Sequence, residues 1–434
     1  MPVEFKRSWS GEEVERFRDS WVRFVETEML PGDAEARRRG HVGHELWRRA
    51  GELGFLCVDI PEEWGGAGGD FRHEAVLHEE MARRALSGMS IGVHSIAAHY
   101  LLNHGTDDQK RRYLPRLAKG ELVGAIAMTE PGAGSDLQAI RTRAERHGNQ
   151  YRVNGSKTFI SNGYLAGLVV VVCKTDPAER AHGISLMLVE TADCDGFRVG
   201  RVLDKIGRKA QDTAELFFDD VQVPADNLLG GVEGQGFYQL MADLPYERLM
   251  IGVGALAAME GAYRATLDYV RERQAFGRPI ADFQNTRFKL AEVATQIMVG
   301  RAFIDRCVEQ LLAGALDAAT AAMAKLWASE TEGRVIDELL QLHGGYGYIN
   351  EFMIARMYAD ARVAPHLRRD QRDHEGSHRA GSLRKIPIAP RVGRGLARAP
   401  RRVVGCYIRW ASWGCRRFCV RLVRGSRSSR QHLP

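Results

Sequence analysis

A single block of short β-type runs interrupts two long stretches of helical period, and this constrains the fold more than any other feature of the chain. The runs "YRVNGSKTFI", "LVVVVCK", "ISLMLVE", "GFRVGRV" and "AELFFDDVQVP" fall between Gly124 and Gly236. Gly, Asn, Asp and Pro separate them, as expected for strands of a small sheet. Before the block, "SGEEVERFRDSWVRFVETEML" offers Ser10 as an N-cap ahead of acidic residues and sets Val14, Phe17, Trp21, Phe24 and Val25 on one face. After it, "LMIGVGALAAMEGAYRATLDYVRERQAF", "FQNTRFKLAEVATQIMVGRAFIDRCVEQLL" and "AATAAMAKLWASETEGRVIDELLQLHG" predict three long amphipathic helices joined by short turns, a bundle that needs a fourth helix to close its core. The expected class is α+β. A helical domain covers residues 1–122, a β domain 123–237, a helical bundle 238–364, and an Arg-rich tail of irregular, disorder-like composition 365–434.

Charge separates the tail from the rest. Of 61 Lys+Arg and 55 Asp+Glu, 19 and 3 fall from Arg362 onward, so the tail carries +16 and the preceding residues −10. The seven cysteines form no CxxC pair, which argues against a zinc site or a disulfide framework and for a reducing cytoplasm. The start "MPVEFKRSWSGEEVERF" lacks a secretion signal's apolar run, and no segment has 18 uninterrupted apolar residues, so a soluble protein without stable membrane insertion is expected.

Three elements carry candidate chemistry. "AMTEPGAGSDL" is a Gly-rich loop with Thr129, Ser135 and Asp136, whose N–H groups and hydroxyls suit a ligand rich in acceptors. "GSKTFISNG" sets Phe159 beside Ser161 and Asn162, an aromatic next to a hydroxyl that could flank a flat ring. "RERQAFGRPI", with "DFQ" close behind, joins Arg271, Arg273 and Arg278 to Phe276 and Gln284; arginine forks suit phosphate oxygens. Taken singly, they equally suit an ordinary loop, core packing and a solvated basic face.

Together, in this order and spacing, and with "LQLHGGYGYINEFMIARMYADARV" downstream, they resemble the acyl-CoA dehydrogenase family over roughly residues 10–365. The resemblance implies a homotetrameric flavoenzyme that uses FAD to oxidise an acyl-CoA thioester to the trans-2-enoyl-CoA and passes electrons to an electron-transfer flavoprotein. It assigns Ile126, Met128, Thr129 and Ser135 to the flavin and the start of the pantetheine arm, with Ser135 facing CoA. It sets Phe159 on the flavin, Ser161 as donor to N5, and Arg273, Phe276, Gln284, Gln341, Gly344 and Gly345 on the FAD pyrophosphate and adenine across a subunit interface.

Thioester α-protons are weakly acidic, so the reaction needs a positioned carboxylate. "DLPYERLMIG" resembles the long-chain and isovaleryl members, which take their base from the helix opening the C-terminal bundle; this makes Glu247 the base, Arg248 its neighbouring arginine, and a long-chain or branched acyl group the substrate. A Glu against an apolar acyl chain is expected to have a raised pKa. An acyl-CoA oxidase or a nitroalkane oxidase is a family alternative; a Glu rather than an Asp argues against the latter.

After "ADARV" the family continues Gln-Pro-Ile-Tyr-Gly-Gly-Thr-Asn-Glu-Ile-Met-Lys, whereas this chain has "APHLRRDQRDHE". His366 to Glu375 can be encoded CAT CTA CGG CGG GAC CAA CGA GAT CAT GAA, and one base later these codons read Ile-Tyr-Gly-Gly-Thr-Asn-Glu-Ile-Met. A frameshift just before His366 is therefore expected, with an out-of-frame tail rather than a basic segment selected for nucleic acid or membrane. It sets Arg368 where a backbone N–H helps to polarise the thioester carbonyl, and Asp370 in place of a Thr near the FAD. The recovered motif has Gly where medium-chain members carry their Glu, in keeping with Glu247. The alternative is an inactive relic that binds acyl-CoA or FAD without turnover.

Overall fold

The computed structural model describes residues 5–366. The helical, β, helical order expected from the sequence is the order found. Six helices come first: α1 (Glu12–Phe24), α2 (Asp33–Arg39), α3 (His44–Glu52), α4 (Phe71–Arg83), α5 (Ile91–His104) and α6 (Asp107–Ala118). Two start with a reciprocal cap, Asp70 with His73 on α4 and Thr106 with Gln109 on α6, each satisfying a donor that the first turn leaves free. The α1 cap differs from expectation. Gly11 is the N-cap, and the Ser10 hydroxyl donates to the Glu15 carboxylate instead. The expected face is buried: Val14, Trp21, Phe24 and Val25 are core residues, and Phe17 packs edge-on against Phe55.

The β domain is one seven-stranded sheet: β1 (Gly124–Ala127), β2 (Arg143–His147), β3 (Gln150–Ser161), β4 (Leu168–Lys174), β5 (Ile184–Glu190), β6 (Phe197–Val202) and β7 (Thr213–Pro224). The path runs β1-β4-β2-β3-β7-β6, with β5 also on β4. β4 and β5 are nearly all apolar because both faces are covered. The sequence reading missed β1 and β2, for opposite reasons. "GAIA" has small side chains and only four residues, and "RAERH" buries Ala144 alone. In β3 the pairing with β7 shifts register between Lys157 and Ile160, and Phe159 sits inside that bulge at φ 60°.

The C-terminal part holds α7 (Gly236–Glu272), a two-stranded ribbon of β8 (Gln274–Ala275) and β9 (Arg278–Pro279), α8 (Gln284–Leu312), α9 (Ala318–Leu342) and α10 (Met353–Ala361). α7 starts well before the expected Leu249. It passes through Pro245, so Glu247 lies in its interior and is not a helix-start acid held by the N-terminal dipole. The expected loss of the last bundle helix falls, with Arg368 and Asp370, on residues from 367 onward, outside those described.

A buried charge seam joins the N-terminal segment, α4, α7 and α8. Arg7 donates to Glu79 and Glu80, and Arg83 donates to Glu79, Glu80 and Glu260. Arg301 reaches Glu79 at 2.7 Å, Glu260 at 2.5 Å and Asp305 at 3.1 Å. Burial raises the Glu79 carboxyl, but the surrounding arginines more than offset it and hold the group far below the usual range, so it stays ionised. Among the described residues no helix is long and apolar enough to cross a membrane.

Candidate active site

α4, α5, α7, α9 and α10 enclose a cavity of about 230 Å³. α7 contributes one stripe of its surface, Glu247, Met250, Ile251, Gly254, Ala255 and Ala258, spaced three or four residues apart so that they share a face. α4 faces it with His78, Met81 and Ala82, and α5 with Gly92 and Ile96. Gly92 keeps the cavity open there: a Cβ at this position would come within 2.6 Å of the Met250 sulfur and 2.8 Å of the His78 ring.

Glu247 is 1% exposed and accepts a hydrogen bond from the Tyr100 hydroxyl at 2.6 Å. Polar pairs on either side flank it. Tyr246, one residue before the base, donates to Asp59 at 2.8 Å; His99, one before Tyr100, lies 3.0 Å from the same Asp59 oxygen and stacks on Tyr246 at 4.1 Å. Burial would raise the Asp59 carboxyl, but His99 and the Tyr246 hydroxyl outweigh it and lower its pKa; His99 is raised in turn by the carboxylate. On the other side, Asn103 and His104 hold Asp243 at 2.8 and 3.1 Å. These contacts lock α5 to α7 around the carboxylate. Arg248 is buried beside it.

The Gly-rich loop is held at its root by Glu130. Its carboxylate accepts from the Arg141 and Thr142 N–H groups and from the Lys157 ammonium at 2.9 Å, while Thr158 N–H donates to the Thr129 carbonyl. Ile126, Met128, Thr129 and Ser135 are each half-buried along β1 and the loop. Beyond the bulge, the Ser161 hydroxyl accepts from Gln211 Nε2 at 2.9 Å, and Gln211 also reaches the Ser90 hydroxyl at 3.1 Å. Gln211 and Ser90 both line the cavity, which ties Ser161 to the region of Glu247. Phe159 is 67% exposed, an unusual state for a large aromatic in a strand, and the bulge is what turns it outward.

Arg273, Phe276, Gln284, Gln341, Gly344 and Gly345 form a second group at the far end of the bundle. All are exposed, Phe276 by 96% at φ 53°. The Arg273 guanidinium sits 5.6 Å over Tyr346 and so brings the ribbon beside the Gly344–Tyr348 turn. Tyr100, Gln211, Ser90, His78 and Glu332 border the cavity or the base and were not singled out from sequence. Each stands in a segment of ordinary helical or loop composition that carries no local signal. Among the described residues no cluster of His, Cys, Asp and Glu could hold a metal ion, and Cys57, Cys173, Cys194 and Cys307 are free thiols.

Comparison with known proteins finds all three parts of one enzyme family along the chain. Residues 11–121 match the acyl-CoA dehydrogenase N-terminal domain, 125–221 the middle domain and 234–367 the C-terminal domain. The mitochondrial long-chain specific acyl-CoA dehydrogenase of Mus musculus is 48% identical over 366 residues, 84% of each chain. The mitochondrial isovaleryl-CoA dehydrogenase of Oryza sativa subsp. japonica is 36% identical over 353 residues, 80% of this chain and 86% of its own. In three dimensions the acyl-CoA dehydrogenase of Geobacillus kaustophilus superposes with a TM-score of 0.82 at 44% identity, covering 87% of this chain and all of that one. With a buried carboxylate on a cavity between the helical parts and a full set of matched domains, the chain belongs to the acyl-CoA dehydrogenase family of oxidoreductases.

Proposed function

We propose that this chain dehydrogenates a long-chain or branched acyl-CoA between its α- and β-carbons, with Glu247 as the base and FAD as the cofactor. The observation that carries this reading is the Glu247 carboxylate, buried on the cavity wall and oriented by Tyr100. When bound, FAD would supply the hydride acceptor for the reaction. The residues fit such a group: Phe159, turned outward by its bulge, offers a face to a flat ring, and Ser161, whose oxygen already accepts from Gln211, keeps its own O–H to donate. Ile126, Met128 and Thr129 line the same edge, and Ser135 with the loop N–H groups receives the pantetheine arm.

Glu247 removes the α-proton, and the stretch of the cavity lined by Met250, Ile251 and Ala255 takes the acyl tail and excludes water from the carboxylate. Arg248 supports the base from the next position on α7. Arg273, Phe276 and Gln284, together with Gln341, Gly344 and Gly345, grip the pyrophosphate and adenine of a cofactor shared with a second protomer of a homotetramer. Their exposure and distance from the cavity support a site completed by another copy. An electron-transfer flavoprotein takes the electrons, and the four free thiols of the described residues fit a reducing compartment such as the cytoplasm.

The test is anaerobic addition of palmitoyl-CoA to the FAD-loaded chain. Bleaching of the flavin bands is expected in the wild type, whereas Glu247→Gln retains FAD and stays yellow; bleaching of both at the same rate removes Glu247 from the role. A second reading, a relic that binds without turnover, has one observation in its favour: the family match ends at residue 367, just inside the basic tail. A chain that binds FAD and acyl-CoA but never bleaches supports it.

A further inference from the structure

The end of the cavity away from Glu247 carries polar groups where a hydrocarbon tail calls for apolar walls. Gly252 approaches the Ala324 carbonyl, and Thr266 reaches His343 at 3.1 Å. α7 and α9 therefore run parallel, with Glu332 about level with Ala258. From Glu247 to Ala258 is three turns of α7, about 16 Å. Glu332 lines the cavity at that level and is only 6% exposed; its Oε2 has no hydrogen-bond partner among the described residues. Arg208 and Asp360 line the same end, and Asp360 accepts from the Arg208 backbone N–H. Burial, eased only in part by Arg208 and reinforced by Asp360, pushes the Glu332 carboxyl up to about 8, so at neutral pH it is a carboxylic acid able to donate and accept. Nearer to Glu247, beside Gly92 and Met250, His78 also lines the cavity and is bonded through Nε2 to the Glu74 carboxylate at 2.9 Å.

We propose that the acyl cavity is built for a chain carrying a hydroxyl at or near its far end, with Glu332 as the residue that binds that hydroxyl. This rests on the reading of the cavity as the acyl site. A hydroxyl fills the donor and acceptor positions of the Glu332 carboxyl, whereas an all-methylene tail covers the acid and leaves it unpaired, and sites of this kind discriminate strongly against the analogue that lacks the group. A carboxylate at the same place is disfavoured, since it would join two carboxyl groups beside a single guanidinium.

The experiment compares ω-hydroxypalmitoyl-CoA with palmitoyl-CoA on the FAD-loaded full chain, by calorimetric Kd and by kcat/KM, for the wild type, Glu332→Gln and Glu332→Leu. The wild type is expected to favour the hydroxylated thioester by about tenfold or more. Glu332→Gln, which still donates and accepts, keeps most of that preference, and Glu332→Leu reverses it. Equal Kd values in the wild type, or an unchanged preference in Glu332→Leu, overturn the proposal. If the Kd values discriminate but neither thioester bleaches the flavin, the inference about Glu332 stands and the dehydrogenation reading falls.

Discussion

At the scale of single residues, the contact that matters most is the Tyr100 hydroxyl on Glu247. A donated hydrogen bond favours the charged carboxylate, so Tyr100→Phe is expected to move the acidic limb of the kcat/KM profile to higher pH, by up to about one unit, with little change in protein stability. A profile superposable on the wild type makes Tyr100 a packing residue only. Glu332 gives a stability prediction with a definite sign. Its folded carboxyl titrates at about 8 against an ordinary value of 4.5. The folded state therefore keeps a proton that the unfolded chain releases, and stability declines as pH rises from about 4.5 to about 8. Glu332→Gln removes that decline, and urea midpoints at pH 5 and pH 8 should differ less in the variant, by a free energy on the order of a few kcal/mol. If the two proteins share the same pH dependence, Glu332 is not held neutral.

Among the elements, the charge seam between the N-terminal segment, α4, α7 and α8 holds the two helical parts in register. Arg301 is nearly buried among Glu79, Glu260 and Asp305. Arg301→Ala would leave those carboxylates without their main counter-charge, and breaking a buried pair from one side costs roughly 3–5 kcal/mol. Urea unfolding should register the loss; a change below about 1 kcal/mol would make the seam a solvated surface feature instead. The strand bulge acts the other way and gives up pairing between Lys157 and Ile160 to aim one aromatic outward. Periodicity revealed β3 but not its bulge, because a register shift depends on what the partner strand offers and leaves no mark on the alternation of its own residues.

For the whole molecule, the exposed Phe276 and its neighbours predict assembly. Sedimentation is expected to give a mass near four chains. Phe276→Asp is expected to yield smaller species that lose FAD on dilution, while a monomer that holds FAD tightly would refute the shared site. The tail belongs to the same scale. We propose that it is out-of-frame translation, which supports reading the gene across the codons of Val363 to Glu375 and expressing the chain with Ile-Tyr-Gly-Gly-Thr-Asn-Glu restored. The restored chain should retain FAD better than the 434-residue one, and codons incompatible with the shifted reading would end the idea.

Much of this protein was legible in one dimension. Helical and strand periods, turn residues and the spacing of "AMTEPGAGSDL", "GSKTFISNG", "RERQAFGRPI" and "LPYERL" are local properties, so they revealed the order of the three parts, the family and the candidate base Glu247. What required the fold is what depends on separate elements meeting. Tyr100 reaches Glu247 from another helix, Gln211 joins Ser161 to Ser90, and α7 runs through Pro245 because its neighbours bury it. The Glu332 wall of the cavity is the strongest case. Glu332 reads as one more polar residue of an amphipathic helix, and only the packing of α9 between α7 and α10 withdraws it from water and turns a surface-type side chain into the end of a pocket.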